Sequence, residues 1–205
     1  MINRDFINSV LAHFEGKALA RGYVPCTKGI FFGGGNLGKP LGVSGVTVAT
    51  GVDLGQQTAE GLRCMGVSAE TVAVLAPYIG LQKAAAMEKL GRAPLTLTPE
   101  QVAEIDAAVH DAYVNNAALL FGRDVFTAAP ARVQAVAVSL HYQFGRPERK
   151  ESPALAGAWK AMQSGAYIEA AAILENPDLW SVAHRQYMAR RKAEAKLLLE
   201  ASNAV

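Results

Sequence analysis

Between Glu15 and Asp53 the chain carries no aspartate or glutamate, and seven glycines together with Pro40 fall between Gly29 and Gly45. Glycine costs backbone entropy in a helix and proline removes a donor from it, so this density of both excludes a continuous helix. The segment from 26 to 45 therefore reads as loop or hairpin. The best strand candidate follows it directly, from Ser44 to Val52, with Val46, Val48 and Val52 set against Thr47 and Thr50. From Gln56 onward nearly all of the patterning is helical.

Helix boundaries carry their own chemistry. Residues 3 to 15 form one apolar face through Phe6, Ile7, Val10, Leu11 and Phe14, with Asn3 as N-cap and Gly16 as the stop. Thr98-Pro99-Glu100-Gln101 is a capping box with proline at the first helical position, and it opens a helix towards Leu120. Pro130 opens another, whose stripe of Val133, Val136, Ala137, Leu140 and Phe144 ends at Gly145. Further helices are expected over 153–163, 166–174 and 183–201. One helix, a small glycine-rich β region and a helical bundle make an α+β chain, mainly helical. There is no internal repeat.

At 205 residues the chain is one large domain or two tightly joined lobes, long enough to bury about 70% of its unfolded surface without metal or disulfide staples. Hydrophobic residues make up 51% and the net charge is +2, which excludes disorder and argues against a nucleic-acid partner. No apolar run approaches the ~18 residues of a membrane helix, so membrane insertion is not expected. The first residues carry an acid and an amphipathic pattern instead of a signal-peptide core. A protein made in the cytoplasm and exported by another route is the expectation. Cys26 and Cys64 stand 38 positions apart with no C-x-x-C spacing, which favours two buried or unreactive thiols. A single disulfide stays open for a protein that acts outside a reducing cytosol.

Several motifs suggest chemistry and fail on mechanism. Gly33, Gly35 and Gly38 fit G-x-G-x-x-G, and Gly33 to Lys39 fits the start of a P-loop. Pro40 stands where a P-loop needs a magnesium-binding hydroxyl, and no alternation of strands and helices follows. The four histidines lack ligand spacing, so no metal or other cofactor is expected. No G-x-S-x-G elbow supports a serine hydrolase. The basic run through Arg185, Arg190, Arg191, Lys192 and Lys196 reads as a solvated helix face.

Two carboxylates remain. Glu15 ends its helix at the border of the apolar face. Apolar neighbours and the negative helix terminus both act to keep it protonated, as a general acid must be. The alternative is an ordinary surface residue. Asp53 ends the strand candidate among glycines that permit a tight turn. Alternation puts Thr47, Ala49 and Gly51 on the same face as Asp53, so a hydroxyl and a carboxylate converge where one water could sit. The alternative is that Asp53 only caps the following turn.

These residues resemble the phage-type lysozyme family, and within it the pesticin-like muramidases. The resemblance rests on Glu15-Gly16, Tyr23-Val24-Pro25 and the Thr47 to Asp53-Leu54-Gly55 spacing. It extends to His141-Tyr142-Gln143-Phe144-Gly145, to the 158–162 and 167–171 segments, and to Leu179-Trp180 followed by Arg190-Arg191. Residues 64 to 130 match only in being helical. The resemblance implies a two-lobed fold, with 1–65 as a catalytic lobe holding the small β region and 66–205 as a helical lobe. It implies a monomer that hydrolyses the β-1,4 bond between N-acetylmuramic acid and N-acetylglucosamine in peptidoglycan glycan strands.

Glu15 would then protonate the glycosidic oxygen, Asp53 activate water, and Thr47 help to place that water. Inversion requires about 6.5–9.5 Å between the carboxyl groups. Tyr142 and Gln143 would line the cleft, and Arg190 or Arg191 would approach Glu15 from the last helix. Glu15 and Asp53 lie farther apart in sequence than in compact phage enzymes, and the 26–45 segment supplies the excess. An endolysin and an antibacterial toxin or effector, the latter with an immunity protein, both fit, acting in the periplasm or on the wall of a host or target bacterium. A catalytically silent module that binds peptidoglycan or a protein partner is the alternative, and a lytic transglycosylase, which would not need Asp53, is a third.

Overall fold

The structure, a computed structural model, describes residues 1–35, 37–147, 153–182 and 184–203. Its chain packs as two units, residues 15–112 and residues 1–14 with 113–205. Residues 66–112 thus group with the β region. The fold is α+β and mainly helical, as expected. Among the described residues no helix is long and apolar enough to cross a membrane.

The unit of residues 15–112 is built on a four-stranded antiparallel sheet in the order β2-β1-β3-β4. Strand β1 (Leu19–Cys26) pairs with β2 (Gly29–Phe31) and with β3 (Thr47–Ala49), which turns back into β4 (Val52–Asp53). Val24, Val46, Val48 and Leu54 bury the inner side of this region. Four helices complete the unit: α2 (Ala59–Met65), α3 (Ala69–Leu75), α4 (Lys83–Arg92) and the first part of α5 (Pro99–Phe121). The capping box forms as expected, since Gln101 N–H donates to the Thr98 hydroxyl and Thr98 N–H to the Gln101 side chain.

The strand expected over 44–52 is instead a hairpin. Ala49 adopts φ 51° and Gly51 φ 83°, and this left-handed pair reverses the chain before Val52. Alternation along one strand therefore does not relate Thr47 to Asp53; direct opposition across two strands does. Strand β1 was not expected, because Gly22 and Pro25 interrupt it. Both have reasons to be there. A Cβ at Gly22 would stand 3.0 Å from the Leu95 side chain, and Pro25 is asked only to accept, from Leu41 N–H. The P-loop-like run contains Asn36, which lies outside the described residues. Around it the chain folds back on β1 and reaches a bridge between Cys26 and Pro40, with no helix following.

The other unit begins with α1 (Arg4–Glu15), whose Asn3 side chain caps Phe6 N–H, and whose final residue falls at the unit boundary. Its remaining helices are α6 (Arg123–Ala128), α7 (Ala131–Phe144), α8 (Pro153–Gln163), α9 (Tyr167–Glu175) and α10 (Met188–Ser202). Their core joins Ile7 and Leu11 to Phe121, Phe126, Leu140 and Trp159. The last helix starts later than expected. Ala183, its expected first residue, lies outside the described residues, and Arg185–Tyr187 form a 3-10 turn before Met188. Both cysteines are free; Cys26 is buried, as expected for an unreactive thiol, and Cys64 is exposed.

Candidate active site

Three strands contribute one side chain each to a single row. Tyr23 of β1 opposes Thr47 of β3, and Thr47 opposes Asp53 of β4. Directly opposed residues project to the same face of a sheet, so a phenol, a hydroxyl and a carboxylate stand side by side. Thr47 is buried in the middle, with its hydroxyl 3.5 Å from the Gly45 carbonyl.

Asp53 is held by backbone alone. Gly45 N–H donates to its Oδ1 at 3.0 Å and Gly55 N–H to the same oxygen at 2.8 Å. Among the described residues Oδ2 receives no hydrogen bond. Burial pushes this carboxyl above the usual aspartate range, and the two N–H donors oppose that shift without cancelling it. The expected capping role is real as well, since Asp53 caps the 3-10 turn Leu54–Gln56 through Gly55.

The glycines around it are there for want of space. A Cβ on Gly45 would stand 2.6 Å from the Gly55 Cα and closer still to the Leu81 carbonyl. Gln82 closes the arrangement, its side chain donating to the Gly55 carbonyl at 2.9 Å, while Lys83 N–H donates to the Ser44 carbonyl. The segment before α4 thus clamps both ends of the loop that carries Asp53.

Glu15, half-buried at the end of α1, belongs to the same unit as Thr47 and Asp53. Tyr23 connects the two acids electrostatically. Burial first, then the charge of Glu15, then that of Asp53, push its phenol above the ordinary tyrosine range. Sequence reasoning named Tyr23 only as part of a motif. Its opposition to Thr47 depends on the register of a strand that glycine and proline conceal. His110 on α5, pushed down by burial, also lies in the field of Glu15, after that of Asp106.

Tyr142 and Gln143 belong to the other unit, at the end of α7. Tyr142 packs its ring 4.6 Å from that of Tyr113. The Gln143 side-chain oxygen accepts from Arg191 at 2.5 Å.

Arg190 and Arg191 do not form a solvated face. Arg191 is fully buried, bonded to Glu194 at 2.8 Å and set over the rings of Phe144 and Trp180. Arg190, 12% exposed, reaches Ser139 and Glu194 and lies 4.8 Å from the ring centroid of Phe14. The reason is tertiary: Glu194 and Ser139 supply buried acceptors that no exposed helix face would have. Burial pulls the Arg191 guanidinium down to about 10, so it stays cationic at neutral pH.

The row sets a carboxyl with one open oxygen beside a hydroxyl and a phenol, and the charge of Glu15 reaches the same phenol. Among the described residues no three histidine, cysteine, aspartate or glutamate side chains gather as metal ligands. The family model described as "Pesticin: Bacterial toxin homologue of phage lysozyme, C-term" matches residues 1–165. A comparison with curated proteins returned no match. With four-fifths of its length matched, the chain belongs to the pesticin family, bacterial toxin relatives of phage lysozyme.

Proposed function

We propose that the protein is a muramidase that cleaves the β-1,4 bond between N-acetylmuramic acid and N-acetylglucosamine in peptidoglycan. The observation that carries this reading is the Tyr23–Thr47–Asp53 row, with Glu15 near enough to act on the same phenol. Glu15 gives its proton to the glycosidic oxygen as the bond to the anomeric carbon breaks. Asp53 takes a proton through Oδ2 from a water that attacks that carbon from the opposite face, and Thr47 orients the water. Atoms balance as one water consumed per bond cleaved, and the product inverts. Tyr142 and Gln143 are retained as substrate contacts, offering a ring face and an amide to the glycan.

The biological setting we infer is that of an antibacterial toxin or effector, or of an endolysin, acting on the wall of a target or host bacterium. As a toxin it would have an immunity partner. The protein is taken to act as a monomer and to need no cofactor.

The test is incubation of purified peptidoglycan with wild type and with Glu15→Gln, followed by mass spectrometry of the soluble fragments. Wild type releases muropeptides with reducing N-acetylmuramic acid ends, and Glu15→Gln does not. Anhydro ends would identify a lytic transglycosylase instead. Binding to the wall without release of fragments by either protein would identify a silent binding module.

A further inference from the structure

The turn that carries Thr47 into Asp53 is held from outside the sheet. Thr50, at its tip, is buried. Its backbone N–H donates to Asp106 Oδ1 at 2.8 Å, and its hydroxyl donates to Asp106 Oδ2 at 2.8 Å. Asp106 stands on α5, so both oxygens of one helix carboxylate are engaged by one turn residue. On one side of Thr50 is Ala49 at φ 51°, a backbone that L side chains avoid. Such a conformation persists only where its surroundings over-determine it, and it recurs at functional sites. Here the surroundings are the pairing of Ala49 with Leu19 on β1 and the hydrogen bonds of Thr50 to Asp106.

We propose that Asp106 is a positioning residue: by accepting both donors of Thr50 it fixes the Ala49–Gly51 turn and thereby the register that sets Thr47 beside Asp53. Besides Asp106, the alignment of β3 with β4 rests on two cross-strand pairs, Thr47 with Asp53 and Val48 with Val52, and on the Leu54 N–H donating to the Val46 carbonyl at 2.8 Å. So short a ladder defines a register poorly, and a slip of one residue turns a side chain to the other face. Gly45 and Gly55 restrain one Asp53 oxygen at the open end of the hairpin, away from the turn. Asp106 supplies the second fixed point. The groups facing Asp53 are the Gly45 and Gly55 N–H groups, the Thr47 hydroxyl and the Tyr23 phenol. Those facing Asp106 are Thr50 and, one turn along α5, His110.

The catalytic arm of this inference rests on Asp53 being the base; the structural arm does not. Both are read on wild type, Asp106→Ala, Asp106→Asn and Thr50→Val. In the first measurement the Asp53 carboxyl is titrated by carbon NMR without substrate. Loosening the turn admits water, so Asp106→Ala moves the Asp53 midpoint down towards the ordinary aspartate range, and Thr50→Val moves it the same way by less. In the second, kcat and KM are measured on purified peptidoglycan. Asp106→Ala lowers kcat ~100-fold, the scale expected of a displaced reacting group, while KM stays within about threefold. Asp106→Asn recovers most of kcat, because its amide still accepts from the Thr50 N–H and can donate to the hydroxyl oxygen.

An unchanged Asp53 midpoint in both Asp106→Ala and Thr50→Val overturns the proposal. So does an Asp106→Asn variant as impaired as Asp106→Ala, since charge and not positioning would then be the cause. Wild type that releases no fragments removes the enzymatic reading alone, and the titration then decides the role of Asp106. If Asp106→Ala does not fold, Thr50→Val, which deletes one oxygen, carries the same two readouts.

Discussion

Asp53 and Glu194 are both acids that burial pushes above the ordinary carboxylate range, yet their surroundings differ in kind. Glu194 is wholly enclosed. It receives Arg191 at 2.8 Å, Arg190 at 3.4 Å and the Ser139 hydroxyl at 2.5 Å, in the unit whose core also holds Trp159 and Leu140. Opposite charge from its own helix, α10, and a hydroxyl from α7 answer its charge. All three reach the same oxygen, Oε1, while Oε2 is enclosed without a partner, so what sets Glu194 apart is paired opposite charge and complete enclosure. Asp53 is half-buried, held by two backbone N–H groups on one oxygen, and no cation contributes to its shift. An acid that no cation answers and that is only half-buried keeps a capacity for chemistry, so a raised carboxyl alone does not distinguish structural from catalytic carboxylates.

The sharpest way to break this contrast is to remove each acid. Glu194→Ala leaves the Arg191 guanidinium buried without its counter-charge, and unfolding free energy in urea should drop by roughly 3–5 kcal/mol. Activity per folded molecule should be close to wild type. Asp53→Asn should do the reverse, keeping its two backbone acceptor contacts and most of its stability while kcat falls at least ~100-fold, as for loss of a general base. If both variants lost stability equally, the contrast would fail.

A finer probe is Gly45→Ala. The added methyl meets the Leu81 carbonyl and Gly55, so the loop must shift and take one Asp53 contact with it. A fall of ~10-fold in kcat with little change in KM is expected, the scale of a small misplacement at a reacting group. A variant with wild-type kcat would show that the Gly45 contact does not position Asp53.

Acidity supplies the next test. Because Asp53 must be ionised to act and its affinity for protons is raised, kcat/KM should rise with pH through a midpoint above the ordinary aspartate range. Asp53→Asn should flatten that limb. In stability the same group works in the opposite sense: a raised acid favours the folded state below its unfolded pKa, and that contribution is lost as pH rises through the folded value.

The smallest expected effect concerns the histidines. Burial pushes His110 and His141 below the ordinary imidazole range. The unfolded chain therefore takes up protons first, and stability should fall as pH drops below about 6.5 towards the folded values. His141→Asn, whose amide can donate to the Gly145 carbonyl in place of the ring, should make thermal stability less dependent on acid. An unaltered pH dependence would assign the effect elsewhere.

How much of this was legible in the sequence follows the range of the interactions. The capping box at Thr98 and the stop at Gly145 are short-range devices, and both appear where their residues indicate. Tyr23 is different. Its strand contains Gly22, required by the Leu95 contact, and Pro25, used only as an acceptor, so tertiary fit outweighs strand propensity. Strand alternation brings Thr47 and Asp53 to one face, whereas the structure does so by opposing them across two strands. An alanine in the left-handed region carries no sequence mark, so the residues read as one strand where a hairpin exists. Arg191 reads as exposed until α7 supplies Ser139 and the helix folds Glu194 inward beside it. Asp106 has no local signal, because its partner lies 56 positions away.

The most direct test of the account is the configuration of the first product. Purified glycan strands would be digested in an NMR tube and the anomeric proton of the new reducing end followed before mutarotation. Attack by a water held at Asp53, opposite the proton donor Glu15, predicts that the α-anomer appears first from the β-linked strand. Initial release of the β-anomer would mean retention, and would contradict the role assigned to Asp53.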